Sequence, residues 1–529
     1  MNRNKEISKI KTNSVYDFVI IGGGASGLGA AVDAASRGYK TLLVESHDFA
    51  KGTSSRSTKL VHGGVRYLQQ GNISLVKEAL KERGLLAKNA AHIVRTLDFV
   101  IPNYKWWQGY FYNFGLWLYD RLAGSLSLGR TRRVNKEETI KHIGNIEPKG
   151  LKSGVIYTDG QFDDSRLAVN LAQTIIDQGG TAVNYMKVTG LIKDDNNKVI
   201  GVTLEDQLEN QHFEIKAKAV INATGIFTDD VLNMNNPDHG KMIMPSQGVH
   251  LVMDKSFLGG DDAIMIPKTS DGRVLFVVPW HHRLLVGTTD TLMKEGTFEP
   301  KALDKEIDFI MANAQQYLAK KPTKKDVKAV YAGMRPLAAP KEGSKKTKEV
   351  SRSHKVIVDK TGLITLTGGK WTTYRRMAED VIDKAIEVHQ LENRACKTKK
   401  LSIHGNLPHK EVDMSSHLYV YGTDIPKLRA LENEKPEYAK RLHPDHDNTV
   451  AEIIWAIREE MAERIEDALA RRTRLLFLDA KAAIDVAPDV AKIFSQELNW
   501  PEEKVEEEIA DFTRVAQNYL IEPYHPTRK

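Results

Sequence analysis

The chain has 529 residues, of which 41% are hydrophobic and 27% charged, a balance that indicates a globular protein and excludes a fibrous or disordered one. The chain is too long to fold around a single hydrophobic core, so we expect two to four domains. The net charge of +7 is modest for this length and fits a solvated surface, attraction to anionic substrates or lipids, or nucleic-acid binding. No run of about 18 apolar residues predicts a membrane-spanning helix.

The cysteine content and the N-terminal residues indicate in which cellular compartment the protein is expected. Cys396 is the single cysteine, which excludes an internal disulfide, a four-thiolate zinc site and a redox dithiol, and favours a reducing cytoplasm. We predict no metal site. Residues 1–13 are polar and Lys-rich, so we interpret them as a loose tail rather than a secretory signal.

The first elements in chain order predict a βαβ unit. Residues 16–21 are apolar and β-branched, as in a buried strand, and residues 22–29 form a glycine-rich turn. A short helix is predicted over 30–37 and a second strand over 41–44, which ends at Glu45.

Strand and helix patterns continue to about residue 395. Helices are predicted over about 75–94 and 164–178, and strands over 155–157, 183–192, 217–223, 356–358 and 364–367, with a β-rich layer between about 242 and 289. After about residue 396 charged helices dominate. A helix predicted over 449–472 places one apolar face at Ile454, Ile457, Met461, Ile465 and Leu469.

A dinucleotide-binding loop is predicted at the first turn. Gly22, Gly24 and Gly27 match the pattern G-x-G-x-x-G, which allows a tight turn, close approach to a pyrophosphate and close packing of helix on strand. A glycine-rich turn without a ligand is the alternative. A predicted strand before the loop, a predicted helix after it, and Glu45, which can hydrogen-bond to a ribose hydroxyl, favour dinucleotide binding. No second such pattern occurs, so we expect one dinucleotide.

Two other segments stand out. Residues 52–64 are rich in hydroxyl groups and can line a pyrophosphate and the polar edge of a flavin, unless they form a plain loop. Residues 106–119 contain eight aromatic side chains, which favours either a lipid interface or a helix buried between domains.

Several motifs together resemble the FAD-dependent glycerol-3-phosphate dehydrogenases over about residues 17–379. They are residues 59–68 (KLVHGGVRYL), 163–167 (DDSRL), 222–225 (NATG), 287–290 (GTTD), 333–337 (GMRPL) and 368–375 (GGKWTTYR). The chain departs from the family at Ile226 and Phe227, where Pro-Trp is usual, and at Ser165, Met334 and Trp371. These departures affect packing around the flavin rather than the chemistry.

The resemblance implies an α/β fold with a Rossmann-like FAD-binding domain, an antiparallel β substrate domain and a helical C-terminal domain. We expect a discontinuous FAD-binding domain over 14–395 (about 14–95, 151–235 and 328–395), substrate-binding segments at about 96–150 and 236–327, and the helical domain at 396–529. It also implies hydride transfer from sn-glycerol 3-phosphate to FAD and onward transfer of electrons to membrane quinone.

The resemblance also assigns site residues. Those expected to bind the cofactor are Gly22, Gly24, Gly27, Glu45, Thr53, Ser54, Ser57, Thr58, Lys59, Leu60, His62, Gly64, Val188, Gly225, Gly369 and Thr372. Those expected to bind the substrate are Arg66, Tyr67, Arg335 and Lys370, since a phosphate dianion calls for guanidinium and ammonium groups. Surface salt bridges are the alternative role for each cation.

Oxidation of an alcohol also needs a base for the hydroxyl proton, and histidine is the usual choice near neutral pH. His250 is the first candidate and His62 the second. We therefore assign catalysis to His250, Arg335 and Lys370, while a hydrogen-bonded residue of the sheet is the alternative role of His250.

Competing functions remain open. A glycerol-3-phosphate oxidase would use O2 and produce H2O2, but the family's oxidases carry a longer central insertion. A flavin-dependent amine oxidase would bind a carboxylate, and an RNA-binding flavoprotein would interleave aromatic residues with cations. We expect a cytoplasmic protein at the inner face of the cell membrane that binds the anionic surface peripherally, binds no nucleic acid, and can form a homodimer.

Overall fold

The computed structural model describes residues 1–12, 15–65, 68, 71–339 and 354–526. Two large β-sheets and a set of helices account for most of them. The strands are β1 Val15–Ile21, β2 Thr41–Val44, β3 Leu60–Val61, β4 Val94–Asn103, β5 Arg132–Asn135, β6 Ser153–Phe162, β7 Thr181–Val183, β8 Met186–Lys193, β9 Val199–Asp206, β10 His212–Asn222, β11 Ile243–Asp254, β12 Ala263–Ile266, β13 Leu275–Trp280, β14 Arg283–Gly287, β15 Thr291–Leu292, β16 Val327–Ala338, β17 Lys355–Val358 and β18 Ile364–Thr367.

The α-helices are also numbered in chain order. They are α1 Arg3–Thr12, α2 Ala25–Ser36, α3 Ile73–Asn89, α4 Gln108–Ala123, α5 Lys136–His142, α6 Asp164–Asp177, α7 Thr228–Asn235, α8 Asp304–Tyr317, α9 Tyr374–Val388, α10 Ile425–Glu432, α11 Val450–Glu460, α12 Leu475–Leu478, α13 Ala480–Leu498 and α14 Glu502–Ala516.

The first sheet is the predicted Rossmann-like layer. Its order is β17-β18-β10-β1-β2-β7, and the pairs β18–β10, β10–β1, β1–β2 and β2–β7 are parallel. Phe18, Val19 and Ile20 are fully buried in β1 because the sheet is covered on both faces. Helices α2, α6 and α9 contribute to the core on one face.

Helix α1 covers the other face of this sheet, so the interpretation of residues 1–13 as a loose tail is wrong for the described residues 1–12. Ile7 and Ile10 are buried in the same core as strands β8 and β9. Arg3 donates a hydrogen bond to Asp206 Oδ1 at 2.7 Å. Two apolar residues three positions apart share one face of a helix, so this segment packs on the sheet although it is polar in composition.

The second sheet has the order β15-β11-β14-β13-β12-β4-β6-β3, with β16 beside β11 and β5 beside β6. Its pairs are antiparallel except β12–β4. Strands β6 and β16 belong to this sheet, although they overlap the ranges 151–235 and 328–395 expected for the FAD-binding domain. The reason is pairing between distant segments: β16 follows β11 along its whole length, from Ile243 opposite Ala338 to Met253 opposite Val327.

The residues described after 396 form the predicted helical domain, which packs on the second sheet through Trp280 and Tyr331. The helix predicted over 449–472 is interrupted. Helix α11 ends at Glu460, Met461 has a left-handed conformation (φ 54°), and a π-helical turn follows at Asp467–Arg472. The break turns several charged side chains toward the interior.

Buried ion pairs join this helical domain to the first sheet. Asp48, which follows β2, accepts hydrogen bonds from Arg471 Nε at 2.5 Å and from Arg472 Nη1 at 2.7 Å. Arg474 reaches Asp164 Oδ1 at 3.1 Å. Because buried charges are costly without partners, these contacts fix the helical domain against the rest of the chain.

Candidate active site

A cleft of about 890 Å³ opens where the two sheets meet. One side is formed by the carboxyl ends of β1, β2 and β10, and the other by β11 and β16. Open α/β sheets bind ligands in such a crevice, beyond the carboxyl ends of their strands.

The glycine loop has the conformation that a dinucleotide requires. Gly22 has a φ of 111°, and a Cβ at this position would lie 2.8 Å from the Ala223 carbonyl oxygen. A Cβ on Gly27 would lie 1.9 Å from the Gly22 carbonyl oxygen, so only glycine allows helix α2 to start so close to β1. Gly24 is the N-cap of α2 and has no side chain of its own to cap the helix, so an anionic ligand can approach the helix N-terminus closely.

Glu45 lies beside this loop at the end of β2. Its Oε2 accepts a hydrogen bond from the Gly23 N–H at 2.6 Å, and its Oε1 accepts one from the His47 N–H at 2.9 Å. Burial raises the pKa of Glu45 against the effect of these two bonds. A carboxylate oriented in this way at the cleft suits recognition of ribose hydroxyls.

The hydroxyl-rich segment is fastened to both sides of the cleft. Ser54 Oγ accepts a hydrogen bond from the Ala25 N–H at 2.9 Å, and Thr53 Oγ1 donates to the Met334 carbonyl at 2.5 Å. Trp371 Nε1 donates to the Ser54 carbonyl at 2.9 Å. The segment is therefore a rigid part of the cleft and not a plain loop.

Most residues expected to bind the cofactor or the substrate line this one cleft. They are Gly22, Gly24, Glu45, Thr53, Ser54, Ser57, Thr58, Leu60, His62, Val188, Gly225, His250, Arg335, Gly369, Lys370 and Thr372. Arg66 and Tyr67 lie outside the described residues.

Three of the expected cofactor residues do not line the cleft. Gly27 packs under the glycine loop, and Gly64 follows Gly63, whose N–H donates to Tyr119 Oη at 2.6 Å. The Lys59 side chain is buried and donates to Asp164 Oδ2 at 2.7 Å. Burial, with a smaller effect from Arg474, lowers the pKa of Lys59 to about 7. These residues shape the loops around the cleft.

His250 lies on β11 with its imidazole at the cleft. Its Nε2 is 2.9 Å from Thr58 Oγ1, and its Nδ1 has no hydrogen-bond partner among the described residues. Burial lowers the pKa of His250 well below its ordinary value, and the charges of Lys59 and Arg335 lower it further. The imidazole is therefore neutral at physiological pH, as a general base must be.

Arg335 lies on the neighbouring strand β16, near His250. Its guanidinium covers Gly248, where a Cβ would be 2.4 Å from Nη2. Nη2 donates to Thr288 Oγ1 at 3.3 Å, and Nη1 is 3.5 Å from Asp290 Oδ1. Lys370 also lines the cleft, and two cations in one cleft suit an anionic ligand.

Three aromatic side chains in the cleft were not predicted from the sequence. His47, Phe227 and Phe298 line the cleft, and the Phe298 ring lies 4.1 Å from each of the other two rings. His47 could have been found from the sequence, because it lies two residues after Glu45, at the end of the same predicted strand. Phe298 is distant in sequence from the other two, and no local pattern indicates it.

The cleft fits a dinucleotide with a flavin. It combines the N-terminus of helix α2, whose N-cap residue is a glycine, with a carboxylate for a ribose and a hydroxyl-lined wall that leads to His250. Residues 17–375 match the family model described as FAD dependent oxidoreductase, and residues 360–505 match the C-terminal domain of alpha-glycerophosphate oxidase. The fold and the cleft thus define an FAD-dependent oxidoreductase.

Similar proteins indicate which kind of FAD-dependent oxidoreductase this chain resembles. The chain is 39% identical to the probable mitochondrial glycerol-3-phosphate dehydrogenase of Caenorhabditis elegans, over 94% of this chain and 73% of that protein. It is 37% identical to the human mitochondrial glycerol-3-phosphate dehydrogenase, over 96% and 74%. The crystal structure of the Bacillus halodurans glycerol-3-phosphate dehydrogenase complexed with FAD has a TM-score of 0.81 and 28% identity, with 99% of both chains covered.

The likeness to the L-alpha-glycerophosphate oxidase of Mycoplasma pneumoniae, with FAD bound, shows the fold alone. Its TM-score is 0.56 at 17% identity, over 75% of this chain and 100% of that chain. The chain therefore belongs to the FAD-dependent glycerol-3-phosphate dehydrogenase family, and its cofactor is FAD.

Proposed function

We propose that this protein oxidises sn-glycerol 3-phosphate to dihydroxyacetone phosphate and passes the electrons to a membrane quinone. The observation that carries the proposal is that neutral His250 and Arg335, on two paired strands, line the same wall of the cofactor cleft. A base and an anion-binding group in one cleft match an alcohol that carries a phosphate. The names of the relatives support the same substrate.

Each residue has a defined role in this proposal. Arg335 and Lys370 bind the phosphate dianion, the first through a planar fork and the second as a point charge. Arg66 and Tyr67 are proposed to complete the substrate site. His250 accepts the proton of the C2 hydroxyl, while bound FAD supplies the acceptor for the C2 hydride. The substrate thereby loses two electrons and two hydrogens.

Anaerobic mixing of the FAD-loaded protein with sn-glycerol 3-phosphate tests this proposal. We expect the visible absorbance of the flavin to bleach with this substrate and not with glycerol or glycine. Bleaching by glycine alone would overturn the proposal in favour of an amine oxidase. Subsequent mixing with oxygen or a soluble quinone distinguishes the two acceptors, and we expect reoxidation to be faster with the quinone.

We propose that helix α4 docks the protein on an anionic membrane, where quinone is available. Six aromatic side chains on this helix or just before it are exposed: Trp106 by 76%, Phe114 by 69%, and also Trp107, Tyr110, Phe111 and Trp117. Tyr119, on the opposite side, is buried. The alternative of a helix buried between domains does not fit these exposures. Arg133 lies 4.2 Å from the ring centroid of Tyr110, so cations accompany the aromatic surface.

A peripheral location at the inner face of the cell membrane follows from this proposal. Among the helices of the described residues, none combines the length and apolar character needed to cross a bilayer. Amphipathic aromatic side chains near cations favour the interface of a bilayer rather than its interior.

A further inference from the structure

Phe298 packs against two aromatic residues that follow strands of the first sheet. It lies in the connection between β15 and α8. Its ring stacks on Phe227, with centroids 4.1 Å apart and planes 26° apart, and it contacts the His47 ring at 4.1 Å and 41°. Nearby, a Cβ on Gly296 would be 3.4 Å from the Ile226 carbonyl oxygen. The connection is thus seated closely on the first sheet.

These contacts place Phe298 across the dinucleotide loop. His47 follows β2 and Phe227 follows β10, and these two strands pair with β1 on either side. A ring that touches both residues therefore spans the carboxyl end of β1, where the glycine loop begins. All three rings line the cofactor cleft.

The stack is uncharged at neutral pH. Burial, assisted by the charge of Lys51, lowers the pKa of His47 to about 4. A neutral imidazole can pack face to face with apolar rings without the cost of a desolvated charge.

Glu299 anchors the connection beside Phe298. Its Oε1 lies 2.6 Å from Lys51 Nζ and 2.8 Å from Arg56 Nη2, both from the loop after β2. Its Oε2 is 3.5 Å from Tyr519 Oη of the helical domain. Lys51 also binds Glu466 Oε1 at 2.5 Å. The Glu299 carboxylate therefore joins the cofactor loop, the second sheet and the helical domain.

We propose that Phe298 and Glu299 retain the FAD in its cleft. Phe298 covers the part of the cleft beside Glu45, and the Glu299 carboxylate holds Phe298 there through Lys51 and Arg56. Loss of the carboxylate frees the connection, so the dinucleotide escapes more often. This role concerns cofactor binding and does not depend on the identity of the substrate.

The rate of FAD release tests the proposal. The variant Glu299→Gln removes the charge but keeps the shape, and Glu295→Gln makes the same change at an exposed position of the same connection. After dilution of the holoprotein, recovery of flavin fluorescence reports release. We expect release about tenfold faster in Glu299→Gln, the equivalent of one charge-assisted hydrogen bond. We expect no change in Glu295→Gln.

Two further measurements separate cofactor retention from fold stability. Phe298→Ala keeps the ion pairs but loses the ring stack, and we expect it to release FAD faster as well. In thermal unfolding, we expect a lower apoprotein midpoint in both variants, because one loses a partner of the buried Arg56 and the other loses the ring stack. The rise in midpoint caused by FAD should also shrink in both variants, which loss of fold stability alone would not produce. Release from Glu299→Gln at the rate of Glu295→Gln overturns the proposal, as does a lower apoprotein midpoint with an unchanged FAD-induced rise.

Discussion

The imidazole of His250 lies almost flat on the ring of Tyr331, with centroids 4.8 Å apart and planes within 15°. The two residues are directly opposite each other on β11 and β16. Tyr331 Oη donates a hydrogen bond to the Ser57 carbonyl at 3.0 Å, next to Thr58, which contacts His250 Nε2. The stack therefore fixes the plane of the imidazole relative to the cofactor loop.

The variant His250→Asn should reduce its flavin much more slowly with sn-glycerol 3-phosphate. Loss of a general base costs about 10²- to 10⁴-fold, and the amide should leave FAD binding intact. Anaerobic stopped-flow absorbance gives the rate. His62→Asn tests the second candidate base in the same way. A wild-type rate in His250→Asn, with a large loss in His62→Asn, would transfer the role to His62.

The variant Arg335→Lys should weaken substrate binding by about 10- to 100-fold. It keeps the positive charge but loses the planar fork that can bind a phosphate through two hydrogen bonds. The concentration dependence of flavin bleaching gives the apparent dissociation constant. Arg273→Lys, outside the cleft, is the matched control. Equal half-saturation in both variants would show that Arg335 does not bind the phosphate.

Protonated His404 should stabilise the fold at neutral but not at alkaline pH. Burial lowers its pKa, but hydrogen bonds to Asp177 and Asp424, at 2.7 and 2.8 Å, outweigh this and raise the pKa to about 9. A raised pKa contributes stability that is complete below about pH 6.5 and disappears as the pH rises through about 9.

The free energy of unfolding, measured with denaturant over this pH range, should therefore fall as the pH rises in the wild type, and this fall should be absent in His404→Gln. We expect it to amount to about 1 kcal/mol, since solvent screens the half-exposed Asp177. His409→Gln, at an exposed position, serves as the control. The same pH dependence in His404→Gln and wild type would refute this role.

Replacement of Trp106 and Phe114 by Ala should weaken binding to anionic vesicles by about tenfold or more, because exposed aromatic rings supply much of the affinity for an interface. Co-sedimentation at low salt measures the binding. Met414→Ala, another exposed apolar position, should have no effect. Flavin reduction in solution should be unchanged, and unaltered sedimentation of the double variant would exclude helix α4 as the docking surface.

The features predictable from the sequence are those encoded by adjacent residues. The positions of Gly22 and Gly27 follow from a spacing that matches one turn and one helix start, and Glu45 follows from the next strand end. The family resemblance indicated Arg335, and the need for a base indicated His250 on a predicted strand of the substrate domain. Both residues line the same cleft.

The features that were not predictable depend on pairing between distant segments. Phe298 meets His47 only because the second sheet is folded onto the first. The break at Met461 depends on charged side chains that turn inward to buried partners, and a helical pattern of apolar residues does not reveal such partners. The anchoring of helix α1 likewise depends on a surface built from strands far along the chain.

The burial of Asp48 beneath Arg471 and Arg472 has a consequence for how such a protein can evolve. Replacement of either arginine in the folded chain would leave this carboxylate buried with one partner fewer, and removal of one member of a buried pair costs about 3 to 5 kcal/mol. The helical domain is therefore not an exchangeable module. Recombination between relatives should succeed only when Asp48 and its two arginines are inherited together.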